Sequence, residues 1–141
     1  MPSPYQYSDA AAYVCQIAPQ AWQDGGAVFA VVARDNGEVL GSIGAHSMRD
    51  GVAHIGYWTV AAARRQGYTT DALKTITSWF ICERGAMRVE LVTEPSNTGS
   101  RRVAEHAGYI TEGVLRSRLT LHGRRTDVVM YSMLPSDLKE Q

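Results

Sequence analysis

Arg64-Arg65-Gln66-Gly67-Tyr68-Thr69 combines guanidinium charge with a glycine just ahead of an amphipathic stretch. A turn there exposes unpaired backbone N–H groups, the helix dipole adds positive potential, and Gly67 lets the backbone approach a pyrophosphate closely. The chemistry is anion binding; a solvated loop at an ordinary helix start is the alternative that this short pattern leaves open. Asn97 precedes a second, shorter helical stretch and is placed to cap it. Asp127 follows Gly123-Arg124-Arg125-Thr126 and suits an acceptor cation, against the alternative of an exposed strand carboxylate. His46 and His106 have no partner at metal-ligand spacing, so no metal is expected. Three arginine pairs, Arg64-Arg65, Arg101-Arg102 and Arg124-Arg125, are suited to phosphates, although most such pairs are solvated surface.

These residues need elements to position them. Ser8 is placed to cap a first helix through Ala11, Ala12, Val14, Cys15 and Ala18, with Pro19 ending or kinking it. Residues 27–34 and 39–48 alternate as strands around Asp35-Asn36-Gly37-Glu38, whose Asn-Gly step supplies the positive φ of a tight turn. Arg49-Asp50-Gly51 turns the chain into a third strand over 52–60, predicting an antiparallel meander. The period then changes to that of a helix: Ala72, Leu73, Ile76, Trp79 and Phe80 form one stripe between Thr70 and Arg84, and Gly85 stops it. A strand over 87–93, a helix near 98–107 ending at Gly108, and strands over 109–120 and 126–134 around His122-Gly123-Arg124 complete the chain. The order β-β-β-α-β-α-β-β predicts an α/β (α+β) fold, a mixed and mostly antiparallel sheet flanked by helices.

With 141 residues and ordinary hydrophobic content, one domain over 1–141 is expected. Fourteen basic residues balance fourteen acidic ones, so the global charge demands neither nucleic acid nor a membrane surface. Cys15 and Cys82 lack metal spacing and read as buried free thiols, favouring a reducing, cytoplasmic setting. No apolar run approaches the roughly 18 to 20 residues that span a bilayer, and the first residues lack a signal-peptide layout.

Three segments in order resemble the GNAT (GCN5-related N-acetyltransferase) superfamily, and within it the ribosomal-protein N-terminal acetyltransferase-like branch. They are IGYWTVAAARRQGYTTDAL at 55–73, NTGSRRVAEHAGY at 97–109 and EGVLR at 112–116. The resemblance spans about residues 27–134 and implies a GNAT-like sheet and acetyl-CoA as co-substrate. Residues Arg64, Arg65, Gln66, Gly67, Tyr68 and Thr69 would then bind the pyrophosphate, with Thr69 standing where the family has a small residue. The backbone of Trp58, Thr59 and Val60 would pair with the pantetheine arm like an added strand, as peptide-like amides allow. Asn97 would contact that arm where two parallel strands splay, and Ser100 would lie near the thiol sulfur. One arginine pair near the adenosine end would suit the coenzyme.

The implied reaction is transfer of acetyl to a primary amine by direct attack in a ternary complex. It needs a neutral amine, a polarised carbonyl and a proton for the leaving thiolate. A lysine amine with a pKa of about 10.4 is mostly protonated at neutral pH, whereas an α-amine at about 7.7 to 8.0 is partly neutral. His54 stands where many relatives carry a glutamate and is the candidate proton acceptor, the alternative being a hydrogen-bonded strand histidine. Backbone N–H groups around Val60 are the expected carbonyl polarisers. Ser100 and Tyr109 are candidate donors to the thiolate, with core packing the alternative for Tyr109. Set against the resemblance, the usual N-terminal strand and about forty residues of the pattern are not found in this sequence, which is expected of either an excised or misannotated domain or a natural short form whose acceptor groove is open or completed by a second subunit, a homodimer partner. A non-catalytic CoA-binding sensor or degenerate paralogue is the alternative function.

Overall fold

The computed structural model describes residues 16–138. Ala18–Gln23 forms α1, continuous with π-helical backbone at residues 16–17, and Pro19 lies in its first turn; the helix runs on past the proline to Gln23, so Pro19 does not end it. Ser8 and Cys15 lie outside the described residues.

β1 (Ala27–Val32) and β2 (Val39–Ala45) form the expected hairpin, with Gly37 at φ 72° and the Asn36 carboxamide accepting from the Glu38 N–H at 2.9 Å. The predicted meander is divided in two. The stretch 39–48 breaks after Ala45, so that β3 is only Met48–Arg49, and 52–60 breaks at Ile55 into β4 (Val52–His54) and β5 (Gly56–Thr59). β1, β2 and β5 form one sheet; β3 and β4 join β6 (Arg88–Thr93), β8 (Arg124–Met133) and β7 (Ile110–Leu121), in the order β3-β4-β6-β8-β7. β4 runs parallel to β6, with His54 opposite Glu90, and all other pairings are antiparallel. Alternation along 52–60 is equally compatible with one neighbour or with two in succession, which is why the break is not visible locally.

α2 (Tyr68–Arg84) buries Leu73, Ile76, Thr77 and Phe80, and α3 (Thr98–His106) buries Ala104. Both pack on the sheet face that carries Ala53, Val89, Leu91, Val129 and Tyr131. Gly85 ends α2 at φ 73°, letting the Ala86 N–H turn back to the Phe80 carbonyl at 2.9 Å, and Trp79 stacks edge-on with Trp22, Phe29 and Phe80. Cys82 is free but exposed, correcting the expectation of burial: it lies off the Leu73–Ile76–Phe80 stripe. A short α4 (Pro135–Leu138) follows β8. No described helix is long and apolar enough to cross a membrane.

Candidate active site

The break at Ile55 opens the sheet. The Ile55 N–H makes the last backbone bond to β6, to the Glu90 carbonyl at 2.8 Å, after which β5 follows β2 and β6 follows β8. The two strands therefore part as a wedge. Val60 donates its N–H to the Leu40 carbonyl at 2.8 Å, so by the alternation of an antiparallel pair the N–H groups of Tyr57 and Thr59 face the opening. Of the N–H groups around Val60, that of Val60 itself is thus engaged by β2 and that of Thr59 is not. Trp58, opposite Ser42, turns its backbone to β2 and its ring outward.

At the end of β5 a 3₁₀ turn (Ala61–Ala63) leads into the arginine-glycine loop. Arg65 and Gly67 both take left-handed backbone, φ 65° and 82°, and no side chain caps α2, so its first N–H groups stay open. A β-carbon at Gly67 would meet no atom within 4 Å; glycine is needed here for backbone conformation and for access. Arg64 Nε donates to the Thr59 carbonyl at 3.1 Å and Gln66 Nε2 to the Ala62 carbonyl at 3.0 Å, which shape the loop. Tyr68 is exposed, and the Thr69 hydroxyl hydrogen-bonds to that of Thr59, tying the helix start to the wedge. Thr93 Oγ1, at the end of β6, is buried without a hydrogen-bond partner among the described residues.

Asn97 caps α3, its Oδ1 accepting from the Ser100 N–H at 3.1 Å. The Ser100 hydroxyl lies 2.9 Å from Tyr57 Oη, a residue the sequence reading passed over. Tyr57 packs against the core, and its burial pushes the phenol pKa up, only partly offset by the bond to Ser100. It is thus a protonated donor at neutral pH. Tyr109 is buried with its hydroxyl 2.6 Å from Thr77 Oγ1, and burial raises its pKa further. Its hydroxyl is committed within the core, unlike that of Ser100.

His54 projects from the opposite face, its side chain 52% exposed, with Nδ1 3.0 Å from Glu90 Oε2. This bond makes Nδ1 the protonated nitrogen and leaves Nε2 free to accept a proton. Glu90 was missed because nothing local joins positions 54 and 90; the parallel register does. Arg88 Nε donates to Glu90 Oε1 at 2.9 Å, and its two terminal nitrogens grip Glu112 at 2.7 and 2.9 Å. Burial acts to raise the Glu90 pKa, yet the bonds from Arg88 and His54 together hold it below the ordinary carboxylate range.

Glu112 is held down to about 2, chiefly by Arg88 and then by the Ser132 hydroxyl at 2.6 Å. The folded carboxylate sheds its proton more readily than the unfolded one, so the stabilisation is complete above the ordinary 4.5 and is lost as pH falls toward 2. The urea midpoint is expected to drop between about pH 5 and pH 2, and Glu112→Gln should flatten that drop; parallel curves would remove Glu112 as a source of acid sensitivity.

Asp127 Oδ1 accepts from the Ser117 N–H at 2.7 Å, so this carboxylate pins a bulge in β7. No group of three metal-ligating side chains occurs among the described residues.

A split sheet with an open strand edge, running into an uncapped helix start, defines a site for an extended, amide-bearing anion. The chain belongs to the acetyltransferase (GNAT) domain family, which is matched over residues 1–110. It is 28% identical to the uncharacterized N-acetyltransferase p20 of Bacillus licheniformis over 75% of this chain and 61% of that protein. It spans about three fifths of the length of the curated relatives it matches. Among solved structures it resembles the microcin C7 self-immunity acetyltransferase MccE in complex with acetyl-CoA and AMP (TM-score 0.81, 21% identity, 92% of this chain and 72% of that one). It also resembles RimL, a ribosomal L7/L12 α-N-protein acetyltransferase in complex with coenzyme A (TM-score 0.83, 18% identity, 92% and 73%). Enzymes of this family use acetyl-CoA as co-substrate.

Proposed function

We propose that this chain is an acetyl-CoA-dependent N-acetyltransferase acting on a primary amine, a protein N-terminal α-amine before a small-molecule one, in a reducing, cytoplasmic setting. The observation that carries this reading is the wedge between β5 and β6, whose free Tyr57 and Thr59 N–H groups lead directly to the Gly67 loop. Arg64, Arg65 and the backbone from Gln66 to Thr69 take the pyrophosphate, while the Trp58–Val60 segment lies along the pantetheine arm.

Bound acetyl-CoA supplies an activated thioester. His54 Nε2 accepts the amine proton directly or through water, with Glu90 fixing the ring and balancing the charge it gains. The Tyr57–Ser100 hydroxyl pair sits on the other face of the sheet, so base and acid address the wedge from opposite sides. Ser100 donates to the thiolate and Tyr57 holds it in place. No covalent intermediate on the protein is required.

The test is calorimetric titration with acetyl-CoA, followed by free-thiol release in the presence of peptides and small amines. Binding on the order of micromolar with thiol release supports the reading. Binding without release from any acceptor supports a CoA-binding sensor, and no binding by the folded chain rejects both.

A further inference from the structure

β8, the neighbour of β6, and its own partner β7 both outrun β6. β6 ends at Thr93 opposite Val129, whereas β7 and β8 keep pairing as far as Leu121 and Arg124. Residues 116–127 thus form an arm beyond the C-terminal end of β6. Since β4 and β6 are parallel and part after His54 and Glu90, the wedge opens toward that same end.

The arm is strongly basic. Residues 116–127 hold Arg116, Arg118, Arg124 and Arg125 against a single acidic residue, Asp127, in a chain whose total charge is zero, so the rest of the chain is net acidic. The pairing register jumps from Leu115–Val128 to Leu119–Thr126, leaving Arg116, Ser117 and Arg118 opposite Asp127 alone. Ser117 sits at φ 49°; Asp127 holds its N–H, and Arg125 donates to its carbonyl and, at 2.9 Å, to Thr120 Oγ1. A bulge fixed from both sides re-aims the side chains it carries. Among the described residues no carboxylate pairs with Arg116, Arg118 or Arg124, because Asp127 is turned to Ser117 and Glu112 to Arg88. Val114 and Leu115 are exposed beside the arginines.

We propose that this bulged arm is an acceptor-recognition surface for an acidic polypeptide segment that follows the amine to be acetylated. Residues 115–126 contain no Phe, Tyr or Trp, and their one aromatic ring is the His122 imidazole in the hairpin turn, a poor platform for successive nucleobases, while guanidinium groups beside exposed aliphatic side chains match a peptide of mixed acidic and apolar character. The inference rests on the acetyltransferase reading above and names the acceptor class for it.

The experiment uses the full chain and two fluorescein-labelled peptides with a free N-terminus, one carrying four glutamates after its second residue and the other four glutamines. The acidic peptide is expected to bind about tenfold more tightly at low salt, through several exposed charge pairs acting together. This margin should shrink as sodium chloride shortens the screening length below about 10 Å. The double variant Arg116→Glu, Arg118→Glu should lose the margin while keeping coenzyme affinity and thiol release with a small amine. Equal binding of the two peptides, an unchanged margin in the variant, or tighter binding of a single-stranded oligonucleotide of the same net charge would overturn the proposal. Peptide binding is read without turnover, so its result stands apart from that of the thiol-release assay.

Discussion

Gly67→Glu is expected to reduce acetyl-CoA affinity by roughly a hundredfold to a thousandfold while leaving a folded chain. A carboxylate beside a pyrophosphate meets like charge; two unit charges about 4 Å apart near a protein surface repel by about 4 kcal/mol, or two to three decades in affinity. The side chain clashes with no protein atom, since a β-carbon at Gly67 finds open space, so the loss arises at the anion and not from a distorted loop. The cost to folding is the left-handed backbone at φ 82°, about 1 to 2 kcal/mol for a residue with a side chain, seen as a melting point lower by a few degrees. Gly67→Ala carries the same backbone cost without the charge and separates the two effects. Calorimetric titration of both variants decides: equal losses would mean that loop conformation, and not the anion field, governs binding.

His54→Ala should lower kcat by about a hundredfold to ten-thousandfold with coenzyme affinity unchanged. The side chain is half exposed and, among the described residues, hydrogen-bonds to Glu90, so its loss removes little packing. Glu90→Gln keeps the shape but removes the charge that balances a protonated imidazole, so its kcat should fall by less than that of His54→Ala. Turnover by His54→Ala at the parent rate would remove the histidine from the mechanism and leave proton acceptance to water.

Much of the scaffold was legible along the chain. The apolar stripe from Leu73 to Phe80, the Gly85 stop, the Asn36-Gly37 turn and the Asn97 cap are all found, because each depends on residues within a few positions of one another. The start of the first helix toward Ser8 lies outside the described residues; within them the chain stays helical past Pro19, because a proline in a first turn gives up no intrahelical hydrogen bond. Cys82 was misplaced for a related reason. One apolar residue near a helical stripe does not belong to it unless its angle around the axis agrees.

The sequence by itself determined the coarse order of elements, the glycine turn that leads into α2, and the family the chain belongs to. Only the tertiary structure decided that the 52–60 strand serves two sheets in succession, which opens the wedge and assigns the Tyr57 and Thr59 N–H groups to it. It also joined His54 to Glu90 across 36 positions and Tyr57 to Ser100 across 43. Turns and caps are settled by short-range sterics and hydrogen bonds that leave a mark in neighbouring residue types. Strand partnership is settled by which edge is free when the core closes, and residue types alone do not record it.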